Sequence, residues 1–245
     1  MMSIDAILLF ALLALIAEVA GTISGFGSSV FFVPIATYFF DFHSVLGITA
    51  LFHIFSNISK IYFFRQGVNW KIVLYLGIPA VLFVGLGAFL SKFISSEILE
   101  TALAFFLIIF SLLFLLLRNF SIQPTNVNSI VGGTVSGFMA GLLGTGGAIR
   151  GMTLAAFDMK KGAFIATSAL IDFGVDLSRG VVYVSNGFVH WHDMRYVIIL
   201  LFISVVGTYI GKRVLEHVSE KLFKNIVLFV IFGIGIVTIV NQFFF

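Results

Sequence analysis

The sequence predicts an all-α polytopic membrane protein made of two inverted-topology repeats. Each repeat is a broken-helix hairpin with a glycine-rich tip, followed by three transmembrane helices. Composition is the first observation behind this: 60% of the residues are hydrophobic, 10% are charged and mean hydropathy is +1.15, outside the balance of a soluble domain. Segment length is the second, since most apolar runs meet the roughly 20 residues that a hydrocarbon core about 30 Å thick requires. Runs such as Thr101 to Leu117 lack the alternation of a transmembrane barrel strand. The third is a pair of interruptions, Gly25-Phe-Gly-Ser-Ser and Gly144-Thr-Gly-Gly, at matching places in the two halves.

Apolar segments fall at about 5–24, 28–40, 45–64, 71–92 and 97–118 in the first half. They resume at about 127–143, 147–158, 162–184, 194–213 and 219–243. The expected organisation is therefore a first repeat over 1–118, a linker over 119–128 containing Gln123-Pro-Thr-Asn, and a second repeat over 129–245. The segment 5–24 lacks the basic flank of a cleavable signal peptide and is read as part of the mature protein. Segments 28–40 and 147–158 are too short to span comfortably, and each follows a glycine break. They are read as the return arms of hairpins whose tips lie within the membrane, one from each face.

Self-alignment supports duplication. At an offset of 119 residues Gly25 falls on Gly144, Gly27 on Gly146, Asn57 on Asp176, Ser59 on Ser178 and Lys60 on Arg179. After small insertions the two Trp residues, Trp70 and Trp191, also correspond. Loop charge gives the orientation: Arg65 and Lys71 put the 65–71 loop in the cytoplasm by the positive-inside rule. Lys160-Lys161 and the cluster Lys212, Arg213, Lys221 and Lys224 are basic in the second half, whereas the loop 186–195 is mixed. Equivalent loops then lie on opposite sides, and both termini are expected outside the cytoplasm.

Net charge is only +3 and the bases sit at helix ends, which leaves no nucleic-acid footprint. The absence of Cys excludes disulfides and thiolate metal sites.

Paired glycine-broken segments are a sequence pointer to a transporter's binding site. A half-helix starting at such a break presents unpaired N–H groups at its positive dipole end, a ready anion site. Gly25, Phe26, Gly27, Ser28 and Ser29 form one tip and Gly144, Thr145, Gly146 and Gly147 the other. Arg150 adds a planar cationic fork suited to oxyanions. The plainer alternative is close helix packing, for which Gly21/Gly25 and Gly133/Gly137/Gly141 have the right spacing.

A second group lies on the next helix of each half. His53, Asn57 and Lys60 recur as Asp172, Asp176 and Arg179 with related spacing, so each set shares a helix face. Ionisable groups at mid-span are costly and point to partners or water. Asp176 pairs with Arg179 one turn on, and Asp172, without an obvious partner, suits a proton-carrying or ion-pairing role. His190-Trp-His192-Asp193 is read as an interfacial anchor, not a metal site. Glu18 stands alone on the first helix, with its role open.

Several of these stretches carry a resemblance. Gly21-Thr-Ile-Ser-Gly-Phe-Gly-Ser-Ser-Val-Phe-Phe-Val-Pro34 resembles the first-half signature of the TauE/SafE sulfite exporter family. Gly137-Phe-Met-Ala-Gly-Leu-Leu-Gly-Thr-Gly-Gly147 resembles the second-half signature. Arg65-Gln-Gly-Val-Asn-Trp70 and Asn186-Gly-Phe-Val-His-Trp191 are similar to its repeated turn-and-Trp pattern. The resemblance implies an inner-membrane exporter of small sulfur-containing anions, with Gly25–Ser29 and Gly144–Gly147 as the substrate region. Three departures are Ser28-Ser29 in place of further glycines, Thr153 in place of a second-half Pro, and Arg150, which is not expected of the family in general.

The expected function is thus secondary transport of a sulfur oxyanion or sulfonate, with no enzyme chemistry, catalytic residue, cofactor or metal. Protonation of Asp172 or Asp176 is the expected route to proton coupling. The alternative is a cation- or proton-linked carrier centred on those two aspartates. An intramembrane enzyme using His53 and Asp172 lacks any nucleophile or HExxH motif, and a scaffold role lacks large polar loops. The expected partners are the anion and the lipid bilayer, with a homodimer as one option for assembly.

Overall fold

The computed structural model describes residues 2–25, 27–65, 67–116 and 122–217, together with 232, 233 and 236. Nine helices run through the described residues: α1 (Ile4–Ser24), α2 (Ser29–Ala36), α3 (Phe42–Phe63), α4 (Trp70–Ser91), α5 (Ser96–Leu116), α6 (Asn126–Leu143), α7 (Gly147–Ala155), α8 (Lys161–Ser185) and α9 (Met194–Leu215). The predicted segment 219–243 and most of the join between the halves lie outside the described residues. Five of the described helical stretches are long and apolar enough to cross a membrane.

Helix starts divide into two kinds. At α1, α3, α4 and α6 a side chain caps the first turn: Ser3, Asp41, Asn69 and Thr125 each accept a backbone N–H. The starts of α2 and α7, at Ser28 and Gly146, have no such cap. The orphan N–H groups of a first turn need some partner; α8 and α9 also lack a side-chain cap but start at the ends of the bundle, whereas the two short helices start inside it.

Both short helices follow a left-handed residue. Gly25 has φ 71° and ψ 1°, and Gly144 has φ 75° and ψ −3°. These nearly identical conformations end α1 and α6 in the way that glycine permits without a Cβ clash. The chain then folds back. Phe10 of α1 packs against Phe32, Phe39 and Phe40, while Gly21 lies directly against Ser28. In the second half Gly132 meets Thr153 and Gly146 meets Ser136. At a rise of about 1.5 Å per residue, the 8 and 9 residues of α2 and α7 cover less than half the hydrocarbon thickness.

The bundle centre is the crossing of α3 and α8. Asn57 touches Asp176, Ala50 faces Gly180, and Gly47 lies against Phe188 just past α8. Rising numbers on one helix meet falling numbers on the other, so the pair is antiparallel. Around it α4 packs on α6 through a stripe of small residues. A Cβ on Gly133, Gly137 or Gly141 would fall 2.1–2.2 Å from the carbonyl oxygens of Leu76, Ala80 and Val84.

Polarity is distributed inside out. Glu18, His53, Asn57, Lys60, Arg150, Asp176 and Arg179 are all buried, whereas Leu8, Leu12, Leu82, Phe89, Ile198 and Phe202 are exposed. That suits a lipid-facing surface around a polar interior. Basic residues gather at one end of the bundle. There Lys212 donates to the Phe63 carbonyl at 3.0 Å, the Asn69 N–H donates to Thr167, and Phe64, Ile165 and Leu215 share a small apolar cluster. The loop 186–195 lies at the opposite end, where His190 contacts Ser44.

The stripe yields a contrast within one helix pair. Gly137→Ala should lower the unfolding midpoint in detergent, with a cost of about 1–3 kcal/mol typical of overpacking. Gly85→Ala, whose Cβ would meet nothing nearer than Ser178 Oγ at 3.8 Å, should be neutral or raise it.

Candidate functional site

The glycine tips and the α3/α8 crossing enclose one chamber. Gly27, Ser28 and Ser29 line it from the first tip, and Gly144, Gly146, Gly147 and Arg150 from the second. His53, Asn57 and Lys60 of α3 and Asp172, Asp176 and Arg179 of α8 complete the wall, with Ala140 and Val175. The two sequence-predicted groups therefore form a single site. Thr145 is buried beside it, its hydroxyl 3.2 Å from Ser29 Oγ, which ties the tips together. Gly25 lines a smaller adjoining cavity that shares Gly27, Lys60 and Asp172 and runs toward Ile165. Phe26 lies outside the described residues.

The chamber is tight, about 20 Å³, space for the centre of about one water molecule. A polyatomic anion requires its walls to part.

Charge within the site is balanced pair by pair. Arg150 reaches from the first turn of α7 to α8, where both of its terminal nitrogens bond the Asp172 carboxylate and Nε donates to Ser168. Asp172 therefore has a partner that the sequence did not reveal, because the two helices meet only in the folded hairpin. Of the five guanidinium N–H groups, two remain for a ligand beside the tip.

Asp176 is held from three directions. Arg179 Nε and Nη2 contact Oδ1 at 2.8 and 2.7 Å, and Asn57 Nδ2 donates to Oδ2 at 2.7 Å. Arg179 Nη1 also donates to the carbonyls of Ala140 and Gly144 at 2.9 and 2.8 Å. Those carbonyls are the orphan acceptors at the negative end of α6. Arg179 thus caps the broken helix while neutralising Asp176, and Tyr183 adds a bond to the Gly141 carbonyl at 2.6 Å.

The third pair was the least legible. Glu18 is wholly buried and forms an ion pair with Lys60 Nζ at 2.9 Å. Its carboxylate also accepts from Ser28 and Ser56 at 2.6 Å and from Thr208 at 2.9 Å, with Thr22 at 3.4 Å. His53 Nε2 stands 3.1 Å from Ser28 Oγ. Since that hydroxyl proton points at Glu18, His53 donates to the hydroxyl oxygen. Glu18 recruits partners from α2, α3 and α9, and the one sequence signal for it was its position in mid-span.

His190, His192 and Asp193 also converge, with donor atoms within 4.8 Å of one another. Both imidazoles are exposed and Trp191 is 91% exposed. Asp193 closes the turn by accepting the His190 N–H at 3.3 Å, a structural role at a bundle end.

A bundle with an apolar exterior, five membrane-length helical stretches and a charge-paired polar interior is a multi-pass membrane protein, and the family that it matches makes it a transporter. The sulfite exporter TauE/SafE family matches residues 10–238, and the chain belongs to that family. It is also similar to a probable membrane transporter protein of Methanocaldococcus jannaschii, at 26% identity over 87% of this chain and 88% of that protein. No solved structure matches the chain.

The Arg179–Asp176 pair gives a stability test. Arg179→Met should lower the unfolding midpoint sharply, since stranding a buried charge costs about 3–5 kcal/mol. The double variant Arg179→Met/Asp176→Leu should recover part of that loss, the deficit that remains measuring the lost cap on α6 together with the unpaired Asn57 amide.

Proposed function

We propose that the protein exports a small sulfur oxyanion, sulfite or a related sulfonate or thiosulfate, by alternating access. The anion lies between the starts of α2 and α7, held by first-turn N–H groups, Ser28, Ser29, Thr145 and the free edge of Arg150. The observation that carries this reading is the convergence of two uncapped half-helices and Arg150 on one chamber. Family membership supports the substrate class.

The halves act as inverted repeats about the α3/α8 crossing, and the bodies that rock are the α4/α6 and α1/α9 pairs, each built from one helix of either half. Support comes from positions 119 apart. Gly25 and Gly144 share a backbone conformation, Asn57 bonds its own counterpart Asp176, and Lys60 and Arg179 each reach back to the helix preceding the break. Residues related by a two-fold axis meet one another only on that axis.

The gathering of Arg65, Lys160, Lys161 and Lys212 at one end supports a cytoplasmic location for that end by the positive-inside rule. The amino terminus is then outside the cytoplasm, in the cell membrane. The side cavity past Lys60 and Asp172 runs toward the basic end, the side from which an exporter loads. Net movement is coupled to protons. A cation carrier centred on Asp172 and Asp176 has less support, because an arginine already occupies each carboxylate.

Counterflow of radiolabelled sulfite in proteoliposomes tests the reading. The wild-type protein should exchange sulfite, with thiosulfate or a sulfonate competing and acetate not. Arg150→Ala should lower the flux at least about tenfold, the loss of a charge-assisted fork, and Asp172→Asn should also alter it. Unchanged flux in both variants would reject the site, and no sulfite exchange in the wild type would reject the substrate.

A further inference from the structure

We propose that Glu18 is the proton-binding group of this carrier, and that its protonation frees Lys60 to balance one negative charge of the bound anion. The proposal rests on the anion-carrier reading for its purpose, while the Glu18 site itself is tested separately.

The starting point is charge. Lys60, Arg150 and Arg179 line the chamber with Asp172 and Asp176, and Glu18, paired with Lys60 behind the wall, brings carboxylates and cations to equal numbers. An anion entering such a site leaves an uncompensated charge away from bulk water, which is costly. Neutralising one carboxylate removes that excess.

The partners of the three carboxylates distinguish them. Asp172 faces guanidinium nitrogens, which only donate, so a carboxyl proton there has no acceptor among them. Asp176 is surrounded by Arg179 and the Asn57 amide, and Arg179 is also fastened to two α6 carbonyls. Glu18 faces the hydroxyls of Thr22, Ser28, Ser56 and Thr208. A hydroxyl donates to a carboxylate and accepts from a carboxyl after one bond rotation, so this shell serves both states.

The cation is equally suited. Lys60 is a point charge on a flexible stem, and it lines both the chamber and the side cavity. Among the described residues, the titratable or charged groups facing Glu18 are Lys60 directly and His53 through Ser28. The remainder of its surroundings are Thr22 on its own helix, Ser56 on α3, and Thr208 and Gly207 on α9. Asp172 and Arg150 stand beyond Lys60 across the cavities. The line His53–Ser28–Glu18 runs from the chamber wall to the carboxylate.

The step balances simply. The Glu18 carboxylate takes one proton, Lys60 stays an ammonium, and the anion contributes the charge that Glu18 gives up. Deprotonation on release restores the ion pair.

Infrared difference spectroscopy of the full chain in lipid, acid minus neutral, reads the site without any substrate. A protonated-carboxyl band should move on 13C-carboxyl glutamate labelling, vanish in Glu18→Gln and survive Asp172→Asn. The signals of Glu97, Glu100, Glu216 and Glu220 remain in the variant and cancel. Should Glu18→Gln fail to fold, Thr208→Val keeps the carboxyl group, removes one partner and should shift the band. A spectrum unchanged by Glu18→Gln, or in the second case by Thr208→Val, overturns the proposal.

In proteoliposomes, Glu18→Gln should lose sulfite-driven proton movement at least about tenfold, and by a larger factor than it lowers sulfite counterflow. Undiminished proton movement in that variant overturns the proposal. Absence of wild-type sulfite counterflow rejects the anion reading instead, and the infrared band then decides on Glu18 alone.

Discussion

Local neutralisation of buried charge is the constraint on which the rest of this structure depends. Six acidic and basic side chains pair inside the bundle, five of them buried and Asp172 partly so, and each is matched by an opposite charge on the same or a neighbouring helix. Removing any one would strand its partner, so the pairs fix how the helices that carry them approach one another. Glu18–Lys60 joins α1 to α3, Arg150–Asp172 joins α7 to α8, and Asn57–Asp176 joins the halves at the central crossing. Polar groups serve here as the positioning contacts that an apolar core supplies in a soluble domain, because lipid gives helices little hydrophobic reason to associate.

Glycine has two separate uses in the bundle. In α6 it allows the carbonyls of α4 to approach where any Cβ would intrude. At Gly25 and Gly144 it allows the left-handed turn that ends one helix and aims the next back along it. Close helix packing and helix-breaking turns are therefore both present, at different glycines. The first holds α4 and α6 rigidly together; the second leaves two helix starts facing a chamber.

Packing is uneven around the chamber. Its walls stand about a water molecule apart, and contacts between the tips amount to small groups such as the Ser29–Thr145 hydroxyl pair. By contrast α4 on α6 and α1 on α9 are closely packed, with Gly207 and Gly211 against Glu18 and Thr22. Contacts between such bodies are thus looser than contacts within them.

Much of this was legible in the residues. Hydropathy gave the helical membrane class, glycine clusters gave the breaks, and three-and-four spacing put His53, Asn57 and Lys60 on one face and Asp172, Asp176 and Arg179 on another. Those signals are local, carried by neighbours in the chain or within two helical turns. The partner of Asp172, the acceptors of Arg179 and the importance of Glu18 were not legible. Arg150 is 22 residues from Asp172, Lys60 is 42 from Glu18, and Thr208 is 190 from it. No periodicity links positions so far apart. The sequence by itself determined which helices form, where they break and which faces are polar, because these follow from backbone chemistry and composition. Which charge neutralises which was decided only by the tertiary structure, since pairing energy acts over a few ångströms and depends on helices brought side by side.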